Sequence, residues 1–439
     1  MADGFGGIYI FDGLADFAAG RPNMFRQTFG AINTAYAVQN FGAFIQDHWS
    51  VARGLTLDIG LRYDFEHLPG MLRQDGDNLS PRLGLAYQVA PGWVLRAGYG
   101  LFFDRYVLAS LNPVLQRNGL SAFEQVVEGS TAAAAFQAAG PLGAPLIGVN
   151  PSIYPADPGL ATPYSQQVNF AVEHLLARDL TINASYLFVR GIKLSRTRNI
   201  NLLPPGPFFG PGRAYSQFND IYQLEDSASS TYQGASVTLN RRMSNELEFS
   251  ASYTFSKTFD NASDFNEQPE NPFALAAERA LSRQDQRHRL VFNALWELPI
   301  GDQDAGKPPS NDLFPKVFGH IEVAPIFTLE SGRPVNPLTG IDSNGNDAFP
   351  LSSRPLGIGR NTFKTPMLAN LDFRVLKYFP FGETAKLDVV AEAFNLLNRA
   401  NVAQINPVFG PGPAALPGFL QPLTALGARR IQFSLDFEF

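Results

Sequence analysis

Cysteine is absent from the 439 residues, which excludes disulfides, thiolate metal sites and a cysteine nucleophile. Charge is scarce: Asp, Glu, Lys and Arg make up 17% of the chain, against roughly 25% in a typical globular protein. No run approaches the ~18 consecutive apolar residues of a transmembrane helix, so that mode of crossing a membrane is excluded. A basic excess is lacking too. The net charge of −6 and pI near 5.5 leave no electrostatic footprint for nucleic acid. Met1-Ala2-Asp3-Gly4 shows no cationic n-region, apolar h-region or cleavage site, so no signal peptide is legible. If the body reads as an exported protein, the expectation is a fragment or a mature portion.

What is present is aromatic and turn-rich. There are 37 Phe, 14 Tyr and 3 Trp, with 39 Gly and 33 Pro, and the apolar fraction is 45%, ample for folding. The commonest local pattern has period two. Leu55, Leu57, Ile59, Leu61, Tyr63 and Phe65 alternate with Thr56, Asp58, Gly60, Arg62 and Asp64. Leu180, Ile182, Ala184, Tyr186 and Phe188 oppose Thr181, Asn183 and Ser185; Leu247, Phe249, Ala251, Tyr253 and Phe255 oppose Glu248, Ser250, Ser252, Thr254 and Ser256. Successive side chains of a strand point to opposite faces, so each segment is a strand with one apolar and one polar face. Similar runs lie near 39–49, 80–89, 93–104, 163–176, 231–242, 286–298, 319–330, 368–379, 385–397 and 429–439, with weaker ones near 6–12 and 23–30. The total is about fifteen strands. The best helical candidate is the Ala-rich stretch 131–139, inside a long loop.

Connections alternate in length. Short turns fall at Val51–Gly54, Ala90–Gly92, Ala177–Asp179, Met243–Asn245 and Pro380–Thr384. Long connections rich in Pro, Gly and Asn fall at 105–162, 191–230, 259–285, 331–367 and 398–428; the segment 299–318 lies on the short side yet is long. Tight turns at one end and long loops at the other are the plan of an outer-membrane barrel. A soluble sandwich also alternates, but its strands are shorter. Strands of ten to twelve residues match the roughly 9–11 needed to cross a bilayer at a tilt. The fold class expected is therefore all-β, an antiparallel up-and-down transmembrane β-barrel with about 14–16 strands in this chain. At the C-terminus Ile431, Phe433, Leu435, Phe437 and Phe439 form an unbroken apolar row against Gln432, Ser434, Asp436 and Glu438. A last strand ending on an aromatic residue resembles the one recognised by the bacterial β-barrel assembly machinery; as a plain amphipathic strand it has the same form.

Several segments are similar to the barrel of TonB-dependent outer-membrane receptors of the Oar-like group. They are Phe41-Gly42-Ala43-Phe44-Ile45-Gln46-Asp47-His48-Trp49, Leu55-Thr56-Leu57-Asp58-Ile59-Gly60-Leu61-Arg62-Tyr63, Ser80-Pro81-Arg82-Leu83-Gly84-Leu85-Ala86-Tyr87 and Leu95 to Asp104. Ala251 to Lys257, Asp285-Gln286-Arg287-His288-Arg289, Gly359-Arg360-Asn361-Thr362 and Ala391 to Asn398 follow in the same order. The resemblance implies an outer-membrane location in a Gram-negative cell and ligand capture at the outer face. It also implies energy-coupled uptake through a plug domain driven by the inner-membrane TonB complex. It implies a barrel of 22 strands; at about 29 residues per strand that needs about 640 residues, so residues 1–439 read as the C-terminal portion of one barrel domain, with about seven strands outside it. The signal peptide, TonB box and plug of the family are not in this sequence. Counting back from a periplasmic C-terminus, an odd strand count places residue 1 outside the cell, so either a weak N-terminal segment is not a wall strand or the chain starts mid-barrel.

Candidate sites are few. The five histidines, His48, His67, His174, His288 and His320, show no metal-ligand spacing. No Gly-x-Ser-x-Gly elbow surrounds Ser165 or Ser256. No cofactor or catalytic group is expected, and the chain reads as a non-enzyme. The stronger candidates are charges on the polar faces, which face the lumen of a barrel: Asp58, Arg62, Asp64, Arg96, Asp104, Glu248, Asp372, Arg374, Asp388, Glu392, Asp436 and Glu438. There they pair across strands or meet a plug or a passing solute. The loop segment Pro207-Phe208-Phe209-Gly210-Pro211 is where the resemblance places first ligand capture; a purely structural loop apex fits it equally. Two functions follow: a transport barrel, or a structural or adhesive outer-membrane barrel that transports nothing.

Overall fold

The computed structural model describes residues 4–11, 13–70, 72–137, 141–206, 209–244, 246–299, 319–348, 353–381 and 385–439. Thirteen long strands make one continuous antiparallel wall, and each falls on an alternating segment of the sequence. In chain order they are β1 (Gln39–Ala52), β2 (Leu55–His67), β3 (Leu79–Ala90), β4 (Trp93–Phe103) and β5 (Tyr164–Leu175). Next come β6 (Leu180–Asn199), β7 (Tyr222–Ser244), β8 (Leu247–Asp260) and β9 (His288–Glu297). The last four are β10 (Ile321–Glu330), β11 (Leu368–Phe381), β12 (Ala385–Phe394) and β13 (Arg430–Glu438). Each pairs with its neighbours in sequence; the two-residue strand Ala280–Leu281 extends the ladder beside β8 and brings the sheet to 14 strands. This is the meander expected, within the expected count.

Register keeps the two chemistries apart. Leu239 faces Ala251, Val237 faces Tyr253 and Ala235 faces Phe255, while Ser236 faces Thr254 and Thr238 faces Ser252. The polar row is knitted by its own side chains: Ser236 Oγ and Thr254 Oγ1 are 2.8 Å apart, and Thr238 Oγ1 and Ser252 Oγ 3.0 Å. A one-residue slip would exchange the rows. Glycines on the polar face make room for flat-lying neighbours. A Cβ at Gly100 would come within 2.8 Å of the Phe102 ring, which covers that bare backbone while Arg82 stacks 4.5 Å over it.

The weak segments 6–12 and 23–30 are strands, but not wall strands. Ile8–Ile10 and Met24–Gly30 join Ala122–Glu128 in a separate three-stranded sheet. The helix Gly129–Gln137, expected from the Ala-rich run, packs on it through Ala132 and Ala135 against Phe25 and Val127. Buried Gln27 and Gln125 fix residues 142–149 to this sheet through hydrogen bonds from their side-chain amides to the loop backbone. A second helix, Leu108–Gln116, escapes the sequence reading because Pro113 interrupts it. Its Leu111 and Val114 enter the other core with Leu68, Leu72, Tyr106, Leu160 and Leu224. Both cores sit at the long-loop end. Residues 300–318 of the long connection and 382–384 of the turn expected at Pro380–Thr384 lie outside the described residues; Pro380 and Phe381 end β11.

The two outermost strands, β1 and β13, each pair on one side only. All 14 residues of β1 are exposed.

Candidate functional site

The polar-face charges find partners of several kinds, across and along the strands. Asp58 lies across from His48, with Oδ1 2.7 Å from Nδ1. Arg62 folds along its own strand onto Asp64, with Nε donating to Oδ2 at 2.8 Å. Arg96 reaches Glu173 on β5 at 2.8 Å. Arg374 and Glu392 are direct cross-strand partners 3.9 Å apart. Asp388 sits opposite Asp436, a like-charge pairing relieved by Lys386, which is 3.4 Å from Asp388 and 3.2 Å from Glu438. Asp372 accepts from Asn370 Nδ2 and from the Asn395 amide. Asp104 accepts from the Arg105 amide. Glu248 makes no ion pair among the described residues. Most pairs are half-exposed and each stabilises the wall by little. These charges are spread along the polar face of the sheet and do not converge on one site. His288 is held by Tyr253, with Nδ1 2.8 Å from the hydroxyl, and His174 stacks on Trp93.

The convergent polar chemistry lies at the long-loop end, where the sequence points only to the segment Gly359-Arg360-Asn361-Thr362 and the loop Pro207–Pro211. A cavity of about 240 Å³ lies there. The small sheet contributes Met24, Arg26, Glu124 and Val126; the wall contributes Thr197, Tyr222 and Leu224; loops contribute Arg117, Tyr154, Asp220, Phe265, Asp342 and Asp347. Glu124 is buried and accepts from Arg117 Nη1 at 3.2 Å and from the Tyr154 hydroxyl at 3.1 Å. Tyr154 packs on Tyr222 with ring centroids 5.1 Å apart.

One wall of the cavity is a clasp between two loops. Arg213 Nη2 donates to Asp347 Oδ2 at 2.5 Å and lies 3.5 Å from Asp220 Oδ1. Asn199 Nδ2 donates to Asp220 at 2.7 Å, and the Tyr222 hydroxyl donates to Asp220 Oδ2 and the Asp347 carbonyl. Burial pushes both carboxyls up. For Asp347 burial and the neighbouring Asp220 carry the value to about 8, against the pull of Arg213. Two carboxyls out of water beside one guanidinium keep a proton between them. Burial also pushes the Tyr154 hydroxyl up, so it remains a donor to Glu124.

Beside the clasp, Arg360, on the same connection as Asp347, is buried and ties it to the connection that follows β8. Its Nη1 donates to Asp260 at 2.6 Å, and its Nη2 donates to Glu267 at 2.7 Å and to Ser263 Oγ at 2.8 Å. Burial opposes the Glu267 charge, but Arg360 prevails and holds that carboxyl below its ordinary range. Phe209 of the expected capture segment joins the same assembly, its amide donating to the Asn344 carbonyl at 3.1 Å. Pro207 and Phe208 lie outside the described residues. Loop residues carry no period to read; the nearest signal was the turn-forming run Asp342-Ser343-Asn344-Gly345-Asn346-Asp347. Among the described residues no group of three His, Cys, Asp or Glu is placed to hold a metal ion.

Comparison with known proteins agrees with this architecture. A family model described as an outer membrane beta barrel domain matches residues 2–75, 68–358 and 348–432. Among solved structures, the outer membrane transporter YddB from Escherichia coli superposes with a TM-score of 0.56 at 12% identity, over 91% of this chain and 45% of that one. A ferric enterobactin receptor, PfeA from Pseudomonas aeruginosa, gives 0.52 at 14% identity, over 94% and 50%. The FrpB iron transporter from Neisseria meningitidis gives 0.51 at 12% identity, over 92% and 47%. The chain thus spans about half the length of these solved structures. No curated protein matches it in sequence. With a two-faced antiparallel wall, an elaborated loop end and a family model covering most of its length, the chain belongs to the outer membrane β-barrel domain family and shares its fold with TonB-dependent outer-membrane receptors.

Proposed function

We propose that the chain forms the C-terminal part of the wall of a TonB-dependent receptor that takes up a ligand across the outer membrane of a Gram-negative cell by energy-coupled transport. The observation that carries this reading is the division of labour along the strands. The wall offers an apolar face to lipid and a charged, hydroxyl-rich face to a lumen. Its long loops gather at one end around a cavity whose lining includes Arg117, Glu124, Asp220 and Asp347. A plain anchor or adhesin has no need of a built cavity there. In this reading Asp58, Arg62, Asp64, Arg96, Glu248, Asp372, Arg374, Asp388 and Glu392 line the lumen beside a plug domain. The row Ile431, Phe433, Leu435, Phe437 and Phe439 is presented to the assembly machinery.

The test is genetic epistasis. Deleting the gene and deleting the TonB gene are expected to give the same, non-additive growth defect on at least one nutrient in a broad panel. A defect in surface attachment that persists without TonB, with no nutrient phenotype, would favour the structural or adhesive reading instead.

A further inference from the structure

Two polar side chains line the cavity at the long-loop end without a partner among the described residues. The first is Arg26, on the strand Met24–Gly30. That strand divides its side chains between two faces. Phe25 and Gln27 meet the helix Gly129–Gln137 and the loop after it, while Met24 and Arg26 line the cavity. Across the small sheet Arg26 stands between Ile8 and Val126, so no carboxylate lies directly beside it. Diagonal Glu124 is already taken, one carboxylate oxygen by Arg117 and the other by the Tyr154 hydroxyl. Glu128, the other diagonal neighbour, is exposed and lies outside the lining. Among the described residues no hydrogen bond or ion pair reaches the Arg26 guanidinium, and its Nε is shut off from water as well. A guanidinium keeps its proton in a protein, so burial cannot neutralise this one, and its charge is costly until something pairs with it.

The second is Gln268, in the connection that follows β8. It is 5% exposed and lines the cavity, yet no hydrogen bond reaches its amide among the described residues. Its neighbour Glu267 is held by Arg360, so the chain carrying the amide is fixed. Buried amides in native proteins are satisfied by protein, water or ligand. The rest of the lining sets size and sign. Ile10, Met24, Val114, Val126 and Phe265 supply apolar surface. At about 240 Å³ the space exceeds the ~150 Å³ that takes benzene and falls below the roughly 300–1,000 Å³ of a drug-sized site. Arg26 is the one uncompensated cation among the described residues of the lining, and it shares that lining with Asp220, Asp342 and Asp347. A dianion such as a phosphate monoester would meet more negative charge than one guanidinium offsets. A single negative charge on a small apolar body fits.

We infer that this cavity binds a small organic monocarboxylate, with its carboxylate on Arg26, a neutral polar group on Gln268 and its apolar body against Met24, Val126 and Phe265. Arginine presents parallel N–H donors that match the two oxygens of a carboxylate. Gln268 offers both a donor and an acceptor, so it selects how the bound acid is turned. That the acid is cargo rests on the uptake reading; that it binds here does not.

The test uses the protein expressed from its own locus and purified from outer membranes in detergent. Phenylacetate, indole-3-acetate, 4-hydroxybenzoate and 4-methylpentanoate are titrated against it by ligand-observed NMR and calorimetry, beside their amides and the corresponding amines. At least one acid should bind, and its amide and amine should bind about tenfold or more weakly, since they lose the charge-assisted pair. Arg26→Gln should weaken that acid by about tenfold or more, Arg26→Lys by less, and Gln268→Leu several-fold. A heat-modifiable band checks that each variant folds. If Arg26→Gln does not fold, protection of Arg26 from phenylglyoxal by the acid, read by mass spectrometry on the unaltered protein, replaces it. The proposal is overturned if no acid binds, if amides bind as tightly as acids, if folded Arg26→Gln binds unchanged, or if the bound acid leaves Arg26 as reactive as before. Uptake of the radiolabelled acid by cells with and without TonB then separates the two readings. Binding without TonB-dependent uptake would sink the uptake reading and leave the site standing.

Discussion

Neighbouring residues in this chain live in different solvents. Ala251 and Ser252 are adjacent in β8, yet Ala251 faces Leu239 on the apolar side and Ser252 bonds to Thr238 on the polar side. An arginine at the first position must leave water or distort the lipid; at the second it enters a lining already rich in charge. Ala251→Arg is therefore expected to cost about 2–4 kcal/mol near mid-membrane. Ser252→Arg should cost much less, since it forfeits one hydroxyl contact worth about 1 kcal/mol. Urea-dependent folding of the chain into lipid vesicles would compare them directly. Equal costs, or a larger cost at Ser252, would mean that the faces are assigned the wrong way round.

Among the elements, strands were legible and loops were not, for a physical reason. A wall strand repeats the same two environments along its length, so one period describes all of it, as at Leu55–Phe65 and Leu247–Ser256. The reading fails where that repetition ends. β6 and β7 run on to Asn199 and back to Tyr222, but register shifts at Glu225, Ala228 and Ser230 break the alternation. Asp220, Arg213 and Asp347 come from separate turns of chain and acquire meaning only when packed. Their clasp yields its own prediction. A carboxyl raised to about 8 when docked, and near 4 when the loop is free, keeps its proton only in the docked state between those values. Docking is thus favoured fully below that window and weakens as pH rises through it. The amides of Asn346, Asp347 and Ala348, held by Asp342 and Asn346 side chains, should exchange faster from about pH 5 to 8 than intrinsic base catalysis explains. Asp347→Asn should remove that excess. If it does not, another group titrates there.

At the scale of the whole molecule, the wall predicts its own depth in the bilayer. The chain has 3 Trp, and they lie on three well-separated strands: Trp49 on β1, Trp93 on β4 and Trp296 on β9. Each sits on an apolar row close to a tight turn, Trp49 facing Leu57 and Trp296 facing Leu247, with Trp93 stacked on His174. Phe41, at the other end of the Trp49 row and facing Phe65, is eight residues away, about 26 Å of strand. Even after tilt this separates two aromatic girdles by most of the apolar band of an outer-membrane barrel. The three indoles should therefore form part of one girdle, at the membrane surface nearest the tight turns. Single-Trp versions, with the other two changed to Phe, can be inserted into vesicles whose lipids carry bromine at graded depths. All three should be quenched most strongly by shallow bromines and little by those at mid-bilayer. They should also resist acrylamide added in water, since their rings face lipid and not the lumen. One indole quenched mainly by acrylamide would place its strand with the polar row outward. An indole quenched best at mid-bilayer would mean that the wall sits shifted along its axis, with the tight turns drawn into hydrocarbon they have no means to satisfy.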